Sequence, residues 1–129
     1  MKRTTGRARG GGPDGPWFRA SVDRVGGSVT GVSARGELDL ATAEAFGTVL
    51  AGLISTRRPN VVIDASELRF CDSEGLAVLE LAGDLAETCG GLVTLVGVRP
   101  PVARVLRITG LDRRFLLPVP AAVPFARAG

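Results

Sequence analysis

The fold is decided by FCDSEGL, residues Phe70 to Leu76, where an apolar run gives way to a helical pattern. Upstream, residues 60–64 read NVVID, which is typical of a short buried strand, and residues 76–87 have helical periodicity. We therefore predict that Ser73 lies in the first turn of a helix, where backbone N–H groups favour an anion such as phosphate. Its hydroxyl could serve as a helix cap, as a nucleophile or as the acceptor of a modification.

The composition predicts one domain with an aliphatic core. The chain has 129 residues, of which 45% are hydrophobic and only 5% aromatic, with no Tyr and one Trp. A chain of this length buries about two thirds of the surface that its unfolded form exposes. Because rings are so few, we expect no aromatic stacking platform for single-stranded nucleic acid.

The net charge of +3 resides in the N-terminal segment. Lys2, Arg3, Arg7 and Arg9 are opposed there by Asp14 alone, so the remainder has equal numbers of basic and acidic residues. A neutral folded part lacks the basic footprint of a duplex-binding protein, and we predict no direct contact with nucleic acid.

Three segments are predicted along the chain. Residues 6–16 are rich in Gly, Arg and Pro without periodicity, so they cannot bury enough apolar surface to offset their ordering entropy. We expect residues 1–15 to form a disordered basic tail, residues 16–120 the folded domain and residues 121–129 a C-terminal tail.

The sequence predicts neither a membrane segment nor a metal site. The first fifteen residues lack the apolar region of a signal peptide, and no run approaches the roughly 18 apolar residues of a membrane span, so we expect a cytoplasmic protein. Cys71 and Cys89 have no CxxC spacing and the chain has no His, so both thiols are interpreted as small buried hydrophobic groups. No cofactor is expected.

The first half of the domain is predicted to begin with a hairpin. Alternating residues from Phe18 to Asp23 form its first strand, Gly26-Gly27 the turn and residues 29–35 the second strand. A helix follows, capped by Asp39 or Thr42, whose apolar stripe consists of Phe46, Val49, Leu50, Leu53 and Ile54. A strand over residues 61–64 then leads into a loop that contains residues 70–72.

The second half is predicted to contain two further helices and two strands. In the helix after Ser73, one side is inward (Leu76, Leu79, Ala82, Gly83 and Ala86) and the opposite side consists of Ser73, Ala77, Glu80, Asp84 and Glu87. Residues 92–98 form a parallel strand, and Pro100-Pro101 open a third helix that ends at Gly110 and points Val102, Val105, Leu106 and Thr109 inward. Residues 115–119 are predicted to add an edge strand.

Several kinds of catalysis are excluded by missing residues. A Ser nucleophile needs a base, but the chain has no His, and its only lysine, Lys2, lies in the predicted tail. Asp64 ends a strand as phosphoryl-accepting aspartates do, yet the clustered carboxylates and strand-end lysine of such sites are missing. No Gly-rich phosphate loop occurs. We therefore expect no enzyme, and Ser73 is either a plain N-cap or an acceptor.

Three blocks of the chain resemble the STAS domain of bacterial anti-sigma factor antagonists. They are GELD at 36–39 with Thr42-Ala43, VVID at 61–64 running into FCDSEGL at 70–76, and TGL at 109–111. The resemblance covers roughly Trp17 to Val119. It implies an α/β STAS fold, with a four- to five-stranded mixed sheet and three to four helices packed mainly on one face.

The resemblance also implies how such a protein works. In that family the unphosphorylated antagonist binds an anti-sigma factor that is also a serine kinase, which frees a sigma factor. Phosphorylation of the serine after Asp, here Ser73, ends the contact, and a serine phosphatase restores it. The implied partner-binding residues are Asp39, Asp72, Ser73, Glu74, Gly75 and Glu80.

The sequence leaves open both the effect of the residue after Ser73 and the choice between two functions. Many relatives have a second small hydroxyl residue after the acceptor, whereas this chain has Glu74, which places fixed negative charge beside the hydroxyl. The alternative function is a STAS module that senses a nucleotide or another small ligand. We expect a monomer or a weak dimer.

Overall fold

The computed structural model describes residues 18–116 as one four-stranded mixed sheet with four helices, in the strand order β1-β2-β3-β4. In chain order the elements are β1 (Phe18–Gly26), β2 (Val29–Leu38), α1 (Ala43–Leu53), β3 (Asn60–Cys71), α2 (Ser73–Thr88), β4 (Val93–Val96), α3 (Pro100–Thr109) and α4 (Asp112–Phe115). The tails predicted at 1–15 and 121–129 lie outside the described residues.

The predicted hairpin is confirmed. Strands β1 and β2 pair antiparallel, and Gly27 adopts a φ of 59° in the turn between them, a conformation that suits glycine. Phe18 and Ala20 are buried while Arg19 is exposed, as the alternating pattern predicted. Strand β2 runs three residues beyond the predicted end, to Leu38.

Strand β3 is much longer than predicted. The sequence predicted a strand that ended at Asp64 and a loop around Phe70 and Cys71, and this boundary was wrong. Residues up to Cys71 pair in parallel with β2, in a register that ends with Leu38 opposite Cys71. Two bulges each add one residue to β3, between Asp64 and Glu67 and between Leu68 and Phe70. They disturb the simple alternation of buried and exposed residues along β3, which hid the strand from a pattern of period two.

The parallel strand β4 is confirmed as Val93–Val96, although it is shorter than predicted. It pairs with only the first part of β3, from Val61 to Asp64. The second half of β3 therefore extends beyond β4, and the sheet is narrower where β2 and β3 end.

The helices pack mainly on one face of the sheet and enclose the aliphatic core. In α1 the predicted stripe is confirmed for Phe46, Leu50, Leu53 and Ile54, whereas Val49 is only half-buried. The ring of Phe46 meets that of Phe18 edge-on, with 4.9 Å between the ring centroids. In α2 all five residues predicted to face inward are buried, whereas the predicted opposite side is exposed. No helix in residues 18–116 combines the length and apolar character needed to cross a membrane.

The end of the domain differs from the prediction in two ways. Helix α3 ends at Gly110 in the left-handed region, as predicted, but Thr109 is exposed and its hydroxyl bonds the carbonyl of Val105 instead. The predicted edge strand over residues 115–119 was wrong at its start, because Phe115 belongs to α4 and is fully buried. Residues 117–119 lie outside the described range.

Candidate functional site

The ends of β2 and β3 bring two predicted site residues to the same edge of the sheet. These strands are parallel neighbours, and Asp39 and Asp72 follow their last paired residues, Leu38 and Cys71. The backbone N–H of Asp72 donates to the carbonyl of Leu38 at 3.1 Å. The loop that begins at Asp39 therefore lies beside the start of α2.

The Asp39 loop is held by a small set of hydrogen bonds around the buried Thr42. The Thr42 hydroxyl donates to the carbonyl of Glu37 at 2.8 Å and accepts from the Asp39 N–H at 2.9 Å. Thr42 is the N-cap residue of α1 by position, but its side chain makes no capping bond, so that part of the prediction was wrong. The Asp39 carboxylate is partly exposed and accepts from the Ala41 N–H at 3.0 Å.

Helix α2 is capped by Asp72. Its carboxylate oxygen Oδ1 accepts from the N–H groups of Glu74, at 2.9 Å, and Gly75, at 3.1 Å. Ser73 is the first residue of α2, as predicted. The alternative in which Ser73 itself is the N-cap was therefore wrong, because the preceding carboxylate already fills that role.

The side chain of Ser73 points to solvent. It is exposed, and within residues 18–116 its hydroxyl forms no hydrogen bond. Glu74 beside it is also exposed, and Asp72 is partly exposed. The hydroxyl is accordingly available to another protein, in surroundings that already contain two carboxylates.

Gly75, another predicted partner-binding residue, is buried beneath this surface. A β-carbon there would lie 2.8 Å from the Cys71 sulfur and 2.8 Å from the Leu38 side chain. The glycine thus lets the first turn of α2 sit directly on the ends of β2 and β3.

Glu80 completes the predicted set on the exposed side of α2. It follows Ser73 by two helical turns, which is about 10 Å along the axis. The structure therefore places Asp39, Asp72, Ser73 and Glu74 around one strand–helix junction, with Glu80 farther along the same helix.

Exposed apolar side chains near the junction were missed by the sequence reasoning. Leu40 is 74% exposed in the Asp39 loop, Phe70 is 47% exposed at the end of β3, and Leu81 is 67% exposed on α2. Leu81 also lines a groove of about 400 Å³ between α1 and α2, together with Val78 and Leu85. The sequence did contain one sign of this surface: Leu81 is apolar but lies outside the set of residues predicted to face inward from its helix.

The Cys71 thiol lies under the site without taking part in its surface. Burial, with a smaller contribution from the charge of Asp72, raises the pKa of Cys71 to about 12. Its sulfur is therefore a neutral packing group near pH 7, as the sequence predicted. Residues 18–116 hold no cluster of Cys, Asp and Glu side chains suited to a metal ion.

The family is settled by a match between residues 22–118 and the family model described as "Mlab, STAS domain". The chain belongs to the STAS domain family. This match spans most of the described residues and includes the whole strand–helix junction, which confirms the resemblance found in the sequence blocks.

Relatives of this STAS domain include anti-sigma factor antagonists. The anti-sigma F factor antagonist of Paenibacillus polymyxa is 33% identical over 81 residues, which cover 62% of this chain and 69% of that protein. An anti-sigma factor antagonist from Mycobacterium paratuberculosis has a crystal structure that is 29% identical, with a TM-score of 0.66, over 91% of this chain and 95% of that one.

The fold of this STAS domain also matches the antagonist SpoIIAA in its unphosphorylated form. The TM-score is 0.68 at 19% identity, and the match covers 85% of this chain and 97% of that chain. The predicted fold class is confirmed, with four strands and four helices. Homology to anti-sigma factor antagonists supports the same general regulatory role here.

Proposed function

We propose that this protein is an anti-sigma factor antagonist whose contact with its partner is switched off by phosphorylation of Ser73. In its unphosphorylated form it binds an anti-sigma factor with serine kinase activity, and a sigma factor is thereby released. The single observation that carries the proposal is the Ser73 hydroxyl, exposed and without a hydrogen bond in residues 18–116, at the first turn of α2.

The proposed contact surface is centred on the junction of β2, β3 and α2. Asp39, Asp72, Ser73 and Glu74 supply its polar part, and the exposed side chain of Leu40 gives it an apolar element. Glu80 extends the surface along α2. Gly75 contributes indirectly: because it has no β-carbon, the first turn of α2 packs closely on β2 and β3, and this packing positions Ser73 on the surface.

A phosphate at Ser73 changes the surface more than the fold. It adds about −1.5 to −2 charges beside two carboxylates, Asp72 and Glu74. The Asp72 carboxylate already accepts from the N–H groups of Glu74 and Gly75, so these donors are not available to hold the phosphate. Added charge and bulk at the surface then prevent docking, and a serine phosphatase restores it.

Binding to the cognate anti-sigma factor tests the surface. We expect Ser73→Ala to bind about as tightly as the unmodified chain and Ser73→Asp to bind more weakly. Thr56→Asp is the matched control, because Thr56 is exposed in the segment between α1 and β3, at the opposite end of that strand. Equal affinity of the Ser73→Ala and Ser73→Asp variants would sink the proposed switch.

The modification itself is tested by incubation with the kinase and ATP, followed by tandem mass spectrometry. We expect phosphate on Ser73 and none in the Ser73→Ala variant. Because Glu74 stands where many relatives have a hydroxyl residue, Glu74→Ser is the informative companion: it shows how far the fixed carboxylate affects the rate of modification. Phosphate at another residue, or no phosphate, would contradict the proposal.

A further inference from the structure

The groove of about 400 Å³ between α1 and α2 is an apolar surface that is open to solvent. Gly47 and Ala51 line it from α1, and Val78, Leu81 and Leu85 line it from α2. The small residues of α1 leave room beside the larger side chains of α2. A concave apolar surface of this kind favours burial of an apolar side chain from another molecule. We call it the α1–α2 groove.

The α1–α2 groove is bordered by negative charge. Glu44 lines it from α1, and Glu80 is exposed next to Leu81 on α2. Neither carboxylate forms an ion pair with any residue between 18 and 116, and neither helix contains a basic residue. The groove therefore favours an occupant that has positive charge beside its apolar part.

A surface with these properties lies on α3. Arg104, Arg107 and Ile108 are spaced three and four residues apart, so they share one exposed face of this helix. Ile108 is 76% exposed, the highest value among the large apolar side chains of residues 18–116. Within the same range neither arginine forms an ion pair, and α3 contains no carboxylate. We call this the α3 face.

The α1–α2 groove and the α3 face belong to different parts of the molecule. Helices α1 and α2 pack against each other, whereas α3 packs against β3 and α4. The groove is concave and acidic, and the α3 face is a convex helix surface with two basic residues around one apolar side chain. Each copy of the chain therefore contains both halves of one complementary contact.

We propose that two copies of this chain associate by placing the α3 face of one copy in the α1–α2 groove of the other. The Ile108 side chain packs against Leu81, and the aliphatic stems of the two arginines extend this apolar contact. Their guanidinium groups then reach Glu44 and Glu80 at the border of the groove. Because the two contacting surfaces differ, the association is heterologous.

The proposed association is weak. One helix on one groove buries less surface than the standard interface of about 1,600 Å². Its charged groups are exposed, so salt screens their attraction. The contact therefore forms when the concentration of the chain is high, and it leaves the monomer as the main species in dilute solution.

Sedimentation of the full chain tests the association. We expect the average mass to rise above that of the monomer between about 10 μM and 1 mM, and to rise less in high salt. Leu81→Lys and Ile108→Glu are each expected to weaken the association at least about tenfold, because each introduces a charge of the same sign as those on the opposite surface. Val25→Lys and Val25→Glu are the matched controls, because Val25 is an exposed apolar residue of β1, outside both surfaces.

A mixture of the Leu81→Lys and Ile108→Glu variants gives the sharpest test. The first variant keeps an intact α3 face and the second keeps an intact α1–α2 groove. We therefore expect the mixture to form a one-to-one complex that neither variant forms alone, a recovery that damage to the fold cannot produce.

Two results would overturn the proposal. One is a mixture of the two variants that remains monomeric. The other is an unmodified chain that is still monomeric at about 1 mM in low salt, which would leave the groove to a different protein or to another segment of the same copy. The proposal does not rest on the phosphorylation switch, since Ser73→Ala is expected to leave self-association unchanged.

Discussion

Gly75 in α2 approaches Leu38 at the end of β2 so closely that a β-carbon on Gly75 would lie 2.8 Å from the Leu38 carbonyl oxygen. The same carbonyl accepts the N–H of Asp72, the capping residue of α2. The Leu38 carbonyl thus determines both how closely α2 approaches β2 and where α2 begins, and α2 is the helix that exposes Ser73. The exposed site therefore depends on a contact that is itself buried.

Substitution of Gly75 by Ala is expected to destabilise the domain by about 1–3 kcal/mol, because the added methyl group forces α2 away from β2 and β3. Gly52→Ala is the matched control: Gly52 lies in α1, a β-carbon there would meet no atom within 4 Å, and Ala stabilises by about 0.5–1 kcal/mol. Urea denaturation measures both. Equal effects of the two substitutions would show that the contact at Gly75 is not restrictive.

The adjacent residues Asp72 and Ser73 are expected to differ sharply in their contribution to stability. Asp72→Ala removes the cap of α2 and costs about 1 kcal/mol, whereas Asp72→Ser restores most of the loss. Ser73→Ala removes a hydroxyl without a hydrogen bond in the described residues and changes the free energy of unfolding by less than about 0.5 kcal/mol. A large loss of stability in Ser73→Ala would contradict the assignment of the cap to Asp72.

The raised pKa of Cys71 predicts a loss of stability at alkaline pH. Above pH 9.0 the thiol of the unfolded chain loses its proton, while the folded chain keeps its proton until about pH 12. The free energy of unfolding therefore falls as pH rises through this window, by at most about 1.4 kcal/mol per pH unit. Below pH 9.0 the group contributes no pH dependence of its own.

The Cys71→Ala variant isolates that effect. Its stability at pH 8 is lower because the substitution leaves a small cavity, but its decline between pH 9 and pH 10.5 is expected to be shallower than that of the unmodified chain. Cys89→Ala serves as the control and retains the decline due to Cys71. Parallel curves for the unmodified chain and Cys71→Ala would contradict the pKa assigned to the buried thiol.

Helix α4 is expected to depend on its single buried ring. Phe115 is fully buried, so Phe115→Ala should cost about 3–5 kcal/mol. Arg114 binds Asp84 at 2.7 Å and Glu87 at 3.2 Å, but both carboxylates are well exposed, and Arg114→Ala should cost less than about 1 kcal/mol. Thermal unfolding of both variants in low and in high salt measures the two losses of stability, since salt weakens only the ion pairs. A larger loss of stability in Arg114→Ala than in Phe115→Ala would contradict this ranking.

Local patterns were sufficient to predict the helices around the site. The inward stripe of α2 follows from spacings of three and four residues, and Gly110 marks the end of α3 because only glycine readily adopts its conformation. The choice between Asp72 and Ser73 as the cap could not be made from the sequence. Both residue types cap well, and the decision depends on where the end of β2 holds the backbone.

Features that depend on distant residues were the ones the sequence reasoning missed. The second half of β3 has Ser66 and Glu67 both exposed, and it is a strand because β2 continues beside it. The segment from Phe115 onward contains Pro118 and Pro120, which favoured an edge strand over a central one. Phe115 instead ends α4, where its ring joins the core, and the neighbouring Arg114 forms ion pairs with α2.

The cap of α2 has a consequence for any group attached to Ser73. The Asp72 carboxylate occupies the N–H groups of Glu74 and Gly75, and the Asp72 carbonyl takes that of Leu76 at 2.9 Å. The first turn of α2 therefore has few N–H groups left that could donate to a phosphate on Ser73. If Ser73 is phosphorylated as proposed, we therefore expect the domain to have the same fold before the phosphate is added, while it is present and after it is removed.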